Sequence, residues 1–309
     1  MRVRRLGTSG LKVSEVGLGC NNFGMRIDQA ATQGVVDAAI EAGITLFDTA
    51  DIYGGTKSEE FLGKALGKRR QDIILATKFG MRIGDDPKRM GGSRRWIMRA
   101  VEDSLTRLGT DYIDLYQFHQ PDADTPIDET LRALDDLVSQ GKVRYIGNSN
   151  FTGWQIADAD WTAAGSTRFV SAQNLYSLLE RKVEFEVLPA CEHFGLGFLP
   201  FFPLASGLLS GKYKRGEAPP EGTRLAAWGA RGAAAMSDKN FDKVEKLEAW
   251  AAERGHTILE LAFAWLLGHA VVSSVIAGAT TPEQVKTNAA TAAWELTPEE
   301  VKEVGDLIA

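Results

Sequence analysis

TLFDTADIYG (45–54), ILATKFG (74–80) and YIDLYQFHQP (112–121) decide how this chain folds. Each is a short apolar run, rich in β-branched and aromatic residues and closed by turn residues, which is the pattern of a buried strand. Each also finishes in side chains that can donate, accept or shift a proton: Asp48 and Tyr53, then Lys78, then His119. An acid, a phenol, an amine and an imidazole carried to the ends of three successive strands imply one shared mouth.

Working outward, the same alternation fills the chain. Strands are expected at 16–19, 45–47, 73–77, 113–118, 145–148, 170–174, 197–201 and 271–276. Helices are expected at 29–41, 58–66, 94–108, 128–139, 153–161, 184–193 and 257–267. Leu131, Leu134, Leu137 and Val138 show the amphipathic spacing, Asp28 and Thr152 stand where N-caps belong, and Gly43, Gly109, Gly141 and Gly195 follow helical stretches. Strand–helix units repeating about every 25–40 residues call for a parallel sheet with right-handed crossovers. Eight such units favour a (β/α)8 barrel over an open doubly wound sheet. Gly17-Leu18-Gly19-Cys20-Asn21-Asn22 also lacks the third glycine of a dinucleotide-binding first turn. Barrel enzymes work at the C-terminal ends of their strands, where the four residues fall. The alternation around Gly7-Thr8-Ser9-Gly10 reads as an N-terminal β-hairpin. The stretch 202–236, rich in Gly, Ala and Pro, reads as a long loop after the seventh strand, able to fold over the mouth. Residues 297–308, opening Thr-Pro-Glu-Glu, read as an extra C-terminal helix. No repeat or linker divides residues 1–309, so a single domain is expected.

Composition narrows the partners. A net charge of −6 argues against nucleic acid, which needs a basic face. Cys20 and Cys191 form no framework, and no secretory start is visible, so a cytoplasmic setting is expected. Asn150-Phe151-Thr152 is then a chance sequon. No apolar run approaches the ~20 residues that span a bilayer. Of four histidines only His119 ends a strand, which argues against a metal-dependent hydrolase and leaves no metal expected.

Singly, the four residues have ordinary readings: a helix cap, a solvated lysine, a packed tyrosine, a buried histidine. Together on one face they suit carbonyl chemistry. A phenol titrates near 10, too high for an efficient acid, and a neighbouring ammonium draws it down. A carboxylate holds the ammonium, and the imidazole hydrogen-bonds the same substrate oxygen. The set would protonate a carbonyl oxygen as hydride reaches carbon, or reverse that step.

These stretches, with SEEFLGKAL, GKVRYIGNSNFTGWQ, SAQNLYSLLER, FFPLASGLLSGKY and VIAGATTPEQVKTNA, resemble the aldo-keto reductase superfamily over nearly the whole chain. The resemblance implies reduction of aldehydes or ketones with a nicotinamide cofactor, usually NADPH, and no Rossmann domain. Asp48, Tyr53, Lys78 and His119 match the family's catalytic tetrad, with Tyr53 the proton donor. Ser149, Asn150 and Gln173 match positions that bind the nicotinamide carboxamide, and Cys20 also falls at a cofactor position. Phe201 stands where an aromatic stacks on the nicotinamide, and Phe202 where serine is commoner, followed by Pro203 and Leu204. Ser206, Gly207 and Lys212 resemble the belt over the pyrophosphate, and Arg224 a further phosphate-facing arginine. Gly278, Thr280, Gln284 and Asn288 match the adenosine end. Gln284 and Thr287 replace an arginine and a glutamate common in the family, so NADPH is favoured while NADH stays possible. Asn21, Phe23, Phe79 and Trp228, with Met81 and Gln120, are expected near a substrate pocket suited to a small-molecule carbonyl or alcohol. A monomer or small homo-oligomer is expected. The resemblance also reaches potassium-channel β subunits, which leaves a cofactor-sensing regulatory role as the alternative.

Overall fold

A computed structural model describes residues 1–309. The hairpin comes first, β1 (Val3–Arg5) paired antiparallel with β2 (Lys12–Ser14). Its turn presses on the barrel so closely that a Cβ on Gly7 would lie 2.2 Å from the Gly195 carbonyl oxygen. With φ at +58°, this position suits only glycine.

Eight parallel strands follow: β3 (Val16–Gly19), β4 (Leu46–Asp48), β5 (Ile74–Phe79), β6 (Ile113–Phe118), β7 (Val143–Ser149), β8 (Phe169–Gln173), β9 (Gly197–Phe198) and β10 (Val275–Gly278). They are hydrogen-bonded in the order β10-β3-β4-β5-β6-β7-β8-β9. The ring closes where Phe198 bridges Val272: the Phe198 N–H donates to Val271 O at 2.8 Å, and the Ser273 N–H to Phe198 O at 2.9 Å. β9 is shorter than the expected 197–201 because Pro200 has no N–H for the ladder. Its neighbours still bond, Leu199 N–H to Ala172 O and Phe201 N–H to Asn174 O. β10 starts at Val275 rather than 271, since the preceding residues turn back on His269.

Helices α1 (Gln29–Glu41), α2 (Lys57–Leu66), α3 (Arg94–Leu108), α4 (Ile127–Ser139), α5 (Gly153–Thr162) and α6 (Val187–Phe194) alternate with the strands. The stretch read as an irregular loop contains two short helices, α7 (Arg224–Ala227) and α8 (Ala230–Ala235). Also unforeseen is α9 (Asp238–Ala252), whose charged sequence hides an apolar stripe of Phe241, Val244, Leu247 and Trp250. α10 (Ile258–Leu267), α11 (Pro282–Ala290) and the C-terminal α12 (Pro298–Leu307) complete the chain.

Two apolar bodies hold this together. The larger lies between strands and helices. The smaller fills the barrel and joins Leu6, Leu11 and Val13 of the hairpin region to Leu46, Ala76, Leu115, Leu199 and Ile276 of the strands. Side chains two apart on a strand share a face. One step above this plug, the same strands therefore turn polar: Leu46 gives way to Asp48, Ala76 to Lys78, Leu115 to Gln117. That step is the floor of the mouth.

Candidate active site

Lys78 is fully buried at the centre of the floor. Its Nζ donates to Asp48 Oδ2 at 2.6 Å, to the Thr49 carbonyl at 2.9 Å and to the Tyr53 hydroxyl at 3.2 Å. The remaining Asp48 oxygen accepts from Gln117 Nε2 at 3.0 Å and from Gln173 Nε2 at 2.9 Å. A buried ion pair needs its lone pairs and protons satisfied in this way, or desolvation outweighs the attraction. Tyr53 arrives on the loop after β4, and the His119 ring meets it edge-on with centroids 5.7 Å apart.

Electrostatics assign protonation states. Burial works to lower the Lys78 amine, but Asp48 and Tyr53 together hold it above its ordinary value. Burial also dominates at Tyr53, pushing the phenol up against the pull of Lys78. This corrects the expectation of a lowered phenol: Asp48 sits beside the ammonium and offsets its field. Tyr53 therefore stays protonated through the neutral range. Burial, and then Lys78, keep His119 well below its ordinary value, so the imidazole is neutral. Its Nδ1 is buried without a partner, which leaves Nε2 as the nitrogen facing the cavity.

A cavity of about 770 Å³ opens above the floor, in the upper part of the ligand-pocket range of about 300–1,000 Å³. Asp48, Tyr53 and His119 line it while Lys78 lies beneath. Ser149, Asn150, Gln173, Phe201 and Phe202 line the near half. Pro203, Leu204, Ser206, Gly207, Lys212 and Arg224 form the belt side, and Gly278, Thr280, Gln284 and Asn288 the far end. Cys20 does not reach the wall; it is fully buried, and burial followed by Asp48 pushes its thiol well up. Of the expected substrate residues Asn21 lines the cavity. Phe23 and Phe79 point into the core, and Trp228 packs outside, edge-on to Phe202. Met81 and Gln120 are also absent from the wall.

The near end differs from expectation in detail. Ser149 Oγ donates to Gln173 O, Asn150 Nδ2 donates to His119 O and Ser149 Oγ, and Gln173 Nε2 serves Asp48 and Gln117. With these donors committed, the free polar ends are the acceptors Asn150 Oδ1 and Gln173 Oε1. Asn150 takes a left-handed φ of +62°, which asparagine tolerates better than most residues.

The belt is held from both rims. Phe202, Ala205 and Ser206 all have positive φ, at 52°, 45° and 60°. Such non-glycine residues cost about 1–3 kcal/mol each and persist only where surroundings enforce them. Gly207, at φ +100°, lets the chain pass Lys212: a Cβ there would meet Lys212 Nζ at 2.7 Å. Arg215 ties the belt to α9 through Asp238, Asp242 and Glu245. Across the opening, Arg26 donates to Gly222 O at 2.5 Å and Arg224 to Asn22 Oδ1 at 3.4 Å, with Arg224 stacked over the Phe202 ring. Burial, and then Arg26, lower the Arg224 guanidinium below its ordinary value.

Arg26 and Asn22 were not anticipated, because nothing in Asn22-Phe23-Gly24-Met25-Arg26 marks a loop that reaches across a mouth. Arg26, Lys212 and Arg224 line one cavity, and none pairs with a carboxylate within 4.0 Å. Unpaired cations beside glycine-rich backbone suit a diphosphate. A dinucleotide thus fits the wall: flat Phe201 and amide acceptors at the near end, cations midway, and the start of α11 at the far end. There Gln284 Oε1 accepts from Thr280 N–H at 2.9 Å and leaves its amide donor free. No cluster of three metal-ligating side chains occurs, and no helix is long and apolar enough to cross a membrane.

Residues 15–309 match the Aldo/keto reductase family. The chain is 41% identical over 300 residues to "Uncharacterized oxidoreductase YrpG" of Bacillus subtilis (strain 168), covering 93% of this chain and 89% of that one. It is 38% identical over 298 residues to "Probable voltage-gated potassium channel subunit beta" of Oryza sativa subsp. japonica, covering 93% and 90%. It is 34% identical over 331 residues to "Versiconal hemiacetal acetate reductase" of Aspergillus parasiticus, covering 98% and 95%.

Proposed function

The chain is an oxidoreductase that belongs to the aldo/keto reductase family, and from that premise we propose that it is an NADPH-dependent carbonyl reductase, converting an aldehyde or ketone to an alcohol reversibly. The observation that carries this reading is the Asp48–Lys78–Tyr53 chain of hydrogen bonds, at 2.6 and 3.2 Å, ending in a phenol beside the His119 ring. A bound nicotinamide would supply hydride to the carbonyl carbon. Tyr53 gives its proton to the oxygen as negative charge grows there. Lys78 steadies the phenolate left behind, Asp48 keeps the ammonium charged and aimed, and His119 Nε2 hydrogen-bonds the same oxygen. These groups act on charge that develops during the reaction, and that is where binding energy accelerates a step. Phe201 offers a flat face to the nicotinamide. Gln173 Oε1 and Asn150 Oδ1 would accept from its carboxamide, and Lys212, Arg224 and Arg26 would hold the phosphates. We favour NADPH over NADH because it is the cofactor usual in the family. The reading takes residues 1–309 as one domain in a cytoplasmic setting.

Tyr53→Phe tests it with 4-nitrobenzaldehyde as substrate. Turnover falls by about 10²- to 10⁴-fold while NADPH affinity stays within about threefold. Turnover at the parental rate would remove Tyr53 from the mechanism. The identity to plant proteins named as probable potassium-channel β subunits supports a second reading, a cofactor-sensing subunit. A stable heteromeric assembly in cell extract, recovered with no turnover on a carbonyl panel, would favour that reading.

A further inference from the structure

Gln117 is fully buried on β6 and forms no part of the cavity wall, yet it carries an amide where an apolar side chain would pack without polar demands. It stands on the floor in register with Lys78 on one side and Gly147 on the other. A Cβ on Gly147 would lie 3.3 Å from Gln117 Cγ and 2.3 Å from Ser171 Oγ, so the glycine leaves room for the longer side chain beside it. Gln117 Nε2 donates to Asp48 Oδ1 at 3.0 Å, and Gln117 Oε1 accepts from Gln173 Nε2 at 3.2 Å. Gln173 Nε2 also donates to Asp48 Oδ1, at 2.9 Å, which closes a triangle of three side chains. A carboxylate only accepts, so both amides must turn their nitrogens towards Asp48, and this fixes their orientation.

We propose that Gln117 is a positioning residue that makes the near end of the cavity select a ring substituent bearing N–H groups; the inference rests on a nicotinamide binding there. An amide nitrogen carries two N–H groups. On Gln173 one is spent on Asp48 and the other on Gln117, so the cavity meets only its Oε1. Asn150 reaches the same state by another route. Its Nδ2 donates to His119 O at 2.9 Å and to Ser149 Oγ at 3.0 Å, and its Oδ1 is left over. Two carbonyl oxygens with no spare donor beside them are matched by the –NH2 of a carboxamide. A ring that carries a methyl ketone instead would leave both acceptors unpaired, and a site built around an N–H rejects an analogue that lacks it. Without Gln117, one Gln173 N–H has no acceptor in the floor and can turn to the cavity, where it serves a ketone oxygen. The selection is then lost, although Lys78 still holds Asp48.

Fluorescence titration of the full chain with NADP⁺ and with its 3-acetylpyridine analogue, in which a methyl ketone replaces the carboxamide, tests this. The parent is expected to bind NADP⁺ more tightly by about tenfold or more. Gln117→Met, which keeps the volume, and Gln117→Asn, which withdraws the amide by one CH2, should each bring that ratio below about threefold. A purely structural defect would weaken both dinucleotides alike, so variants that keep the parental ratio would overturn the proposal. A parent that reduces 4-nitrobenzaldehyde with NADPH but binds both dinucleotides equally would overturn it and leave the carbonyl-reductase function standing. A parent that binds neither would overturn both.

Discussion

The floor of the mouth and the belt above it are built in opposite ways. On the floor, strand ends present Asp48, Lys78, Gln117 and Gln173 from regular backbone, buried and bonded to one another. In the belt, three non-glycine residues hold left-handed backbone, the helices are short, and a few side chains fasten it to its surroundings. The floor fixes charges to within hydrogen-bond distance, as proton transfer requires. The belt and the loop facing it present Lys212, Arg224 and Arg26 without an ion pair, as an anionic ligand requires. The contrast separates chemistry from holding, and variants in the two regions should fail differently.

Lys78→Met carries the largest expected effect. It should lower turnover by at least ~10³-fold and, by leaving Asp48 buried without its ion, cost about 3–5 kcal/mol of stability. Loss of activity with an unchanged melting temperature would mean that the floor is less interlocked than its bonds imply. Arg224→Met and Arg26→Met should act on the belt alone. Losing a charge-assisted hydrogen bond costs about 1.5–3 kcal/mol, so the NADPH dissociation constant should rise about 10- to 100-fold by fluorescence titration. Turnover at saturating cofactor should change less than about threefold. An equal loss of turnover would break the separation.

How much of this could be read from the sequence follows the same division. The barrel, its hairpin and the gathering of Asp48, Tyr53, Lys78 and His119 at one mouth were legible because strand periodicity and turn residues are local signals, and Asp48, Lys78 and His119 fall at strand ends. α9 was missed because its apolar stripe is diluted by lysines and acids, and α7 and α8 because alanine-rich helices of four and six residues are too short to show a period. Phe23 and Phe79 illustrate a further limit. Their positions beside the mouth are plain in sequence, but which face of the backbone they take is fixed by packing against the helix layer. The lowered phenol expected at Tyr53 was overturned for a similar reason: sequence shows the lysine next door, but not the burial that outweighs it.

Two pH-dependent stability effects sharpen the picture of the floor. His119 is held well below its ordinary value by burial and Lys78, so the unfolded chain binds a proton that the native one refuses. Below about pH 6.5 that proton weakens the fold, by at most about 1.4 kcal/mol per pH unit. The melting temperature of the parent should therefore drop more steeply than that of His119→Gln between pH 7.5 and 5; parallel curves would contradict a neutral buried imidazole. Asp51, behind the floor, shows the opposite sign. Both its carboxylate oxygens are buried without partners, and burial followed by Glu59 raises its carboxyl well above the ordinary range. The native chain keeps a proton that the unfolded one has lost, so stability drains away as pH rises. Asp51→Asn removes that loss and should stabilise the protein more at pH 8 than at pH 5, the smallest effect of the series. A variant less stable than the parent at pH 8 would show Asp51 ionised and paired.

The claim at the centre is that the floor transfers the proton and the belt only holds the cofactor. Single-turnover mixing of the NADPH-loaded protein with 4-nitrobenzaldehyde, followed by loss of the reduced-nicotinamide absorbance, tests it in one experiment on two variants. The expected result is slow hydride transfer with parental affinity in Tyr53→Phe, and parental hydride transfer with weakened affinity in Arg224→Met. Parental hydride transfer in Tyr53→Phe, or a slowed chemical step in fully loaded Arg224→Met, would contradict it.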